Sequence, residues 1–310
     1  MSSKRKIADS MLDLVGDIPL VRLNRIGRDC GAEILVKPEF LNPAGSMKDR
    51  VALRMVEAAE AAGQLQPGGH IVESTTGNTG AGLAFVAAVK GYRFSAFVPD
   101  DVADAGRQAI MQAFGANFVP FAVDGELGDL AGRQQCRQME QAQPGVWWSR
   151  QFANAHNVAA HEHGTAREII EKTDGRLDAF VASVGSGGAL LGIGRALKEH
   201  DPAIRVVAVE PQCWPALSAP DSEVDGLSGG ICAALRASGI VDTIVRLDDA
   251  EAAAMADRLA REEGMFCGVS SGANVVAALQ VARDLGEGRR VVTCLCDSRD
   301  RYFFNTAYVT

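Results

Sequence analysis

Asn42-Pro43-Ala44-Gly45-Ser46-Met47-Lys48-Asp49-Arg50 lies between an apolar run, Glu33-Ile34-Leu35-Val36-Lys37, and a stretch in which Val51, Leu53, Met55, Val56 and Ala59 recur at roughly helical spacing. Pro43 and Gly45 end the extended segment, and Ser46 reads as the N-cap of the helix that follows. Lys48 then falls in the first helical turn, where unpaired backbone N–H groups and the positive dipole end disfavour an ammonium. An ordinary surface lysine gains nothing from that position. A Schiff-base lysine needs a lowered pKa, so the stretch asks for a carbonyl partner.

Two more loops supply what such a partner needs. After Ile71-Val72 comes Glu73-Ser74-Thr75-Thr76-Gly77-Asn78-Thr79-Gly80, which opens an apolar helical stretch. Its hydroxyls, amide and glycine N–H groups form a neutral cradle suited to a carboxylate. The second loop, Gly185-Ser186-Gly187-Gly188-Ala189, follows Phe180-Val181-Ala182-Ser183-Val184 and opens a helix from Leu190 to Lys198. Its glycines let backbone N–H groups close on a phosphate. The loop also fits a dinucleotide fingerprint, since Gly185, Gly187, Gly188 and Gly192 precede a strand at 205–210 that ends in the acid Glu210. A nicotinamide-dependent oxidoreductase is therefore a rival reading, although it leaves the first two loops unexplained.

Five stretches together resemble the cysteine synthase family of fold-type II pyridoxal-phosphate enzymes: residues 42–50, Thr75-Thr76-Gly77-Asn78-Thr79-Gly80, Gln151-Phe152, Gly185-Ser186-Gly187-Gly188 and Gly268-Val269-Ser270-Ser271-Gly272. They occur in the family's order, and the likeness runs from about Leu12 to Tyr302. The resemblance implies two open, mainly parallel α/β sheet domains like the tryptophan synthase β-subunit, with the active-site cleft between them. The smaller, mobile domain would be 42–153, the larger 12–41 plus 154–310, and 1–11 a flexible arm.

It further implies that Lys48 forms a Schiff base with pyridoxal 5'-phosphate and later serves as base at Cα. Asn78 would bond the cofactor's 3′ oxygen, Gly185, Ser186, Gly187 and Gly188 its phosphate, and Ser270 its pyridine nitrogen. A neutral hydroxyl at that nitrogen suits elimination at Cβ. Thr75, Thr76, Gly77, Thr79 and Gln151 would take the substrate carboxylate, and Gly226 would line the entrance for the second substrate. The implied reaction is β-replacement on O-acetyl- or O-phospho-L-serine through an α-aminoacrylate, with sulfide giving L-cysteine.

Relatives that add an amino-acid nitrogen to make diaminopropionate-type precursors share Gly45-Ser46-Met47-Lys48, Glu73-Ser74-Thr75 and His161-Glu162-His163-Gly164. The amine nucleophile is thus the alternative. Thr76 and Ala189 replace a Ser and a hydroxyl residue usual in the family, and Ala103, Ala105 and Gly106 replace a Ser and a Glu-Arg pair. A catalytically idle binding module has little support, because Lys48, Asn78, Gln151 and Ser270 are all present.

Composition is compatible with this picture. A chain of 310 residues that is 47% hydrophobic can build two cores, and a net charge of -8 argues against a nucleic-acid partner. No run approaches the roughly 18 to 20 apolar residues that cross a bilayer, so a cytoplasmic, non-membrane enzyme of small molecules is expected. The family implies a homodimer. Seven cysteines form no CxxC pair; Cys294 and Cys296 read as buried thiols on one strand face. His161 and His163 are not on one helical face, so no metal is expected. Strands are read at 71–73, 94–98, 117–119, 178–184, 205–210, 243–247 and 290–296. Helices are read at 48–62, 80–90, 104–114, 126–142, 160–172, 189–199, 249–264 and 272–286. That alternation predicts parallel sheets covered on both faces.

Overall fold

A computed structural model describes residues 7–100, 105–123, 130–212, 217 and 230–303. The strands are β1 (Val21–Arg22), β2 (Glu33–Pro38), β3 (His70–Ser74), β4 (Arg93–Pro99), β5 (Asn117–Phe121), β6 (Val146–Trp148), β7 (Ala179–Ser183), β8 (Arg205–Pro211), β9 (Thr243–Leu247) and β10 (Arg290–Leu295). The helices are α1 (Lys48–Ala61), α2 (Asn78–Lys90), α3 (Ala105–Ala113), α4 (Leu130–Ala142), α5 (Ala155–Ala160), α6 (Ala166–Lys172), α7 (Gly188–His200), α8 (Gly230–Ala237), α9 (Asp249–Arg258) and α10 (Val269–Leu285).

Two sheets form, in the orders β5-β4-β3-β6 and β1-β2-β10-β7-β8-β9. All pairs are parallel except β1 with β2, where Val21 faces Val36. The central strands are buried on both faces, as Val291-Val292 is beside Ile34-Leu35 and Phe180, whereas the edge strands β5 and β9 are partly exposed. The larger sheet carries one core against α9 and α10, around Val275, Leu279 and Leu259, and another against α6 and α7, around Ile169, Leu190 and Ile193. The smaller sheet packs Val51, Met55 and Leu83 of α1 and α2 on one face and Cys136 of α4 on the other.

Several boundaries differ from the sequence reading for physical reasons. Ser46 is not the formal N-cap: α1 starts at Lys48 behind Met47, yet the Ser46 Oγ still accepts the Lys48 N–H at 3.2 Å. The strand β6 was not anticipated, because Val-Trp-Trp is too short to show a period. The helix expected over 160–172 is three pieces, with a π-helical turn at His161–Thr165 between α5 and α6. The helix read from 249 likewise ends in a π-helical turn at Leu259–Glu263, and α10 begins at Val269 rather than 272. The stretch at 12–23 touches both sheets, since Leu12 and Val15 pack on the smaller sheet's core while β1 joins the larger sheet.

A buried charge cluster ties these layers together next to Lys48. Arg50, on α1, donates to Glu39 at 2.7 and 3.0 Å and to Glu168 of α6 at 2.6 and 2.8 Å. Lys37 of β2 donates to Glu168 and to the Ile18 carbonyl, both at 2.6 Å. Two cations balance two carboxylates, which is the condition for burying any of them.

Candidate active site

The carboxyl ends of both sheets face one cavity of about 380 Å³, lined by Met47, Lys48, Asn78, Ser183, Ser186 and Ser270 among others. Parallel strands place it there: Leu295 lies opposite Pro38 and Ser183 opposite Val209, so neighbouring strands stop together and their following loops emerge at one edge. Four of the five motifs stand at helix starts, three of them where the sequence reading put a loop opening into a helix, while Gln151-Phe152 lies in a turn. Lys48 begins α1, Asn78 begins α2, Gly188 begins α7, and Ser270 stands in the first turn of α10. Helix N-termini, with their unpaired N–H groups, therefore border the cavity from both sheets, an arrangement that favours anions.

Lys48 is partly exposed to this cavity, and burial pushes its amine down to about 8 despite the opposing influence of Cys296. Desolvation is thus the main cause, where the sequence argument invoked the helix dipole. Asp49, next along α1, accepts the Ala44 N–H at 2.6 Å, and burial raises its carboxyl to about 7.

The glycine loop is built for close approach. Gly187 has φ +84, and a Cβ on Gly188 would lie 2.2 Å from Asn157 Oδ1. Asn157 donates to the Gln151 carbonyl at 2.7 Å and to Ser186 Oγ at 3.0 Å, fixing the loop's hydroxyl while leaving its proton to donate. At Gly185, by contrast, a Cβ would meet nothing within 4 Å.

The carboxylate loop is more committed than its sequence suggests. Thr75 Oγ1 accepts the Gly77 N–H at 3.2 Å, and the Thr79 hydroxyl donates to Gln151 Oε1 at 2.5 Å. Gln151 is anchored by its backbone N–H to Glu73 at 2.9 Å. Thr76 and Gly77 are half-buried beside it. The Asn78 amide donates to Asp297 at 2.6 Å and its oxygen accepts from Arg301, so a cofactor oxygen could use only its second N–H. Gly226, together with Ala103, lies outside the described residues.

Sequence reasoning missed the residues that follow β10. The strand ends at Leu295, so Cys296 leaves the face it was expected to share with buried Cys294 and lines the cavity instead. Its thiol accepts from Asn274 Nδ2 at 3.5 Å, and burial together with Asp297 raises it to about 11, which keeps it neutral. Asp297 also accepts the Tyr302 hydroxyl at 2.5 Å. Arg107, from α3, lies over the Tyr302 ring. The usable signal was a charged run, Asp297-Ser298-Arg299-Asp300-Arg301-Tyr302, directly after a strand. His161 is buried, with Nδ1 3.1 Å from Thr165 Oγ1, as a structural histidine would be. Glu210, the acid a dinucleotide ribose would need, is buried and accepts the Leu217 N–H.

These groups fit pyridoxal 5'-phosphate: one amine of lowered basicity, a hydroxyl-and-glycine helix start for a phosphate, and a neutral Ser270 share a cavity of ring size. Comparison with known proteins agrees. Residues 11–297 match the model of the family described as pyridoxal-phosphate dependent enzyme. The chain is 37% identical over 308 residues to a cysteine synthase of Staphylococcus aureus (strain N315), covering 98% of each. Its fold is similar to a crystal structure of O-ureido-L-serine synthase, with TM-score 0.86 and 36% identity over 97% of this chain and 95% of that one. A cysteine synthase from Entamoeba histolytica superposes with TM-score 0.87 at 33% identity, over 99% of this chain and 93% of the other. With a cavity of the right chemistry and a match over nearly its whole length, this chain belongs to the pyridoxal-phosphate-dependent enzyme family.

Proposed function

We propose that this enzyme carries out β-replacement on an O-activated L-serine, O-acetyl- or O-phospho-L-serine, with sulfide as the incoming nucleophile and L-cysteine as the product. The observation that carries the reading is the Lys48 amine, neutral in part near pH 8, in one cavity with Ser270 and the 185–188 helix start. When bound, pyridoxal 5'-phosphate supplies an electron sink conjugated to the substrate's amino group, the chemistry that loosens a substituent on Cβ. Lys48 would hold it covalently, the N–H groups of Gly185, Ser186, Gly187 and Gly188 its phosphate, Asn78 its ring oxygen and Ser270 its ring nitrogen. Lys48, once free, moves the proton at the substrate's Cα. Thr75, Thr76, Gly77, Thr79 and Gln151 orient the carboxylate from the start of α2.

The likeness to an O-ureido-L-serine synthase, whose named product is a serine derivative other than cysteine, supports a nucleophile other than sulfide, and an amino-acid nitrogen is the alternative that the 45–48, 73–75 and 161–164 stretches favour. In this reading residues 42–153 move as the smaller unit against 12–41 plus 154–310, a division supported by the separate cores of the two sheets except at Leu12, Val15 and Ala160, which pack on the smaller sheet's core. Exposed Ile7, Met11 and Leu14 would suit a homodimer contact. The six described cysteines are all unbridged, in keeping with a reducing, cytoplasmic compartment, and no described helix is long and apolar enough to cross a membrane.

The test is direct. The purified protein should absorb visible light, and borohydride should trap the cofactor on Lys48. Lys48→Ala should lose both signals. Scoring sulfide and amino acids for product from O-acetyl-L-serine and O-phospho-L-serine then names the substrates. A colourless wild type that takes up no pyridoxal phosphate would sink the reading.

A further inference from the structure

The cradle at the start of α2 was read as neutral, but its neutral donors are partly spent. The Thr79 proton goes to Gln151, and Thr75 Oγ1 already accepts the Gly77 N–H. A carboxylate held there gains most from a charge. Among the described residues lining the cavity, the cations are Lys48 and Arg107; the acids Glu210, Asp248 and Asp249 come from β8 and the start of α9, elements of the larger sheet. Arg107 comes from α3, which packs with the smaller sheet's layer.

Two neighbours locate the Arg107 guanidinium. Its Nη1 lies 3.5 Å from where a Cβ on Gly77 would stand, so it sits beside Gly77 in the turn that opens α2. Its Cζ is 5.4 Å from the centroid of the Tyr302 ring, and Tyr302 is in turn fixed by its hydroxyl on Asp297. A guanidinium over an aromatic face is attracted to the ring while its N–H donors can still reach other acceptors. Arg107 borders both the cavity and the turn that opens α2, so its charge stands near the helix's N–H groups.

We propose that Arg107 reads the α-carboxylate of the amino-acid substrate, making the site selective for free amino acids over their amides and esters. The proposal rests on the β-replacement reading above and adds a specificity-determining residue to it.

Binding at equilibrium tests it without turnover. The cofactor-loaded protein is titrated with L-serine and with L-serinamide, which lacks the carboxylate charge, and the visible spectrum is followed. Wild type should favour L-serine. Arg107→Gln should shrink that preference by about ten- to a hundredfold, the value of one charge-assisted hydrogen bond, and Arg107→Lys should keep part of it. A ratio unchanged in Arg107→Gln, including the case where both ligands weaken equally, would mean that Arg107 only props α3 against Tyr302, and the proposal falls alone. A wild type that responds to neither ligand overturns the β-replacement reading and this proposal with it.

Discussion

At the scale of single residues, the chemistry turns on one protonation state. A neutral amine is the form that attacks an aldehyde, and burial brings Lys48 down to about 8 from an ordinary value of 10.5. The rate at which cofactor-free protein captures pyridoxal 5'-phosphate should therefore rise with pH around a midpoint of about 8. A midpoint near 10.5 in a stopped-flow pH series would show the lysine to be solvated. Gly188 is the second such residue. Its missing Cβ would strike Asn157 Oδ1, the side chain that also holds Ser186, so Gly188→Ala should displace the phosphate end of the site. Cofactor affinity, read by fluorescence titration, should fall about tenfold or more, since a charge-assisted phosphate hydrogen bond is typically about 1.5–3 kcal/mol. Equal affinity in variant and wild type would contradict this.

At the scale of elements, helix starts carry the site's groups. The starts of α1, α2, α7 and α10 face the cavity because helices that join parallel strands run back antiparallel to them and so begin near the strands' carboxyl edge. The packing of α10 on α9 is what aims Ser270. It depends on Gly272, where a Cβ would lie 2.0 Å from the Ala252 carbonyl oxygen and 2.8 Å from the Ala256 nitrogen. Backbone cannot yield as a side-chain tip can. Gly272→Ala should thus cost about 1–3 kcal/mol through overpacking, seen as a lower urea midpoint with an unchanged slope. An unshifted midpoint would mean that α9 and α10 separate freely.

At the scale of the whole molecule, stability is concentrated where the sheets' layers meet. Glu168 accepts hydrogen bonds from Arg50, Lys37 and the backbone of Asp17 and Ile18. Burial alone would raise its carboxyl, but Arg50 and Lys37 outweigh burial and hold it at about 2 against an ordinary 4.5. A depressed carboxylate contributes stability that is present above about 4.5 and lost as pH falls toward 2. Glu168→Gln should cost about 3–5 kcal/mol at neutral pH by leaving buried Lys37 and Arg50 to share the single carboxylate of Glu39. The gap from wild type should narrow as the pH drops through that window, as denaturant curves at several pH values would record. A gap independent of pH would assign the cost to packing instead.

The sequence by itself determined the alternating α/β architecture and the motif residues that meet at the cavity, because apolar runs and glycine-bearing helix starts are local properties of the chain. It carried Lys48, Ser270 and the 185–188 loop to one site through ordered motifs, although the five stretches span more than two hundred residues. Only the tertiary structure decided what lies against them. Arg107 and Tyr302 are far apart in the chain and carry no pattern, yet they stack; Cys296 enters the cavity because β10 stops one residue earlier; Asn78 is engaged by Asp297 and Arg301. Contacts between distant side chains and the burial that sets Lys48 near 8 arise when two sheets close on each other, and no local spacing encodes that.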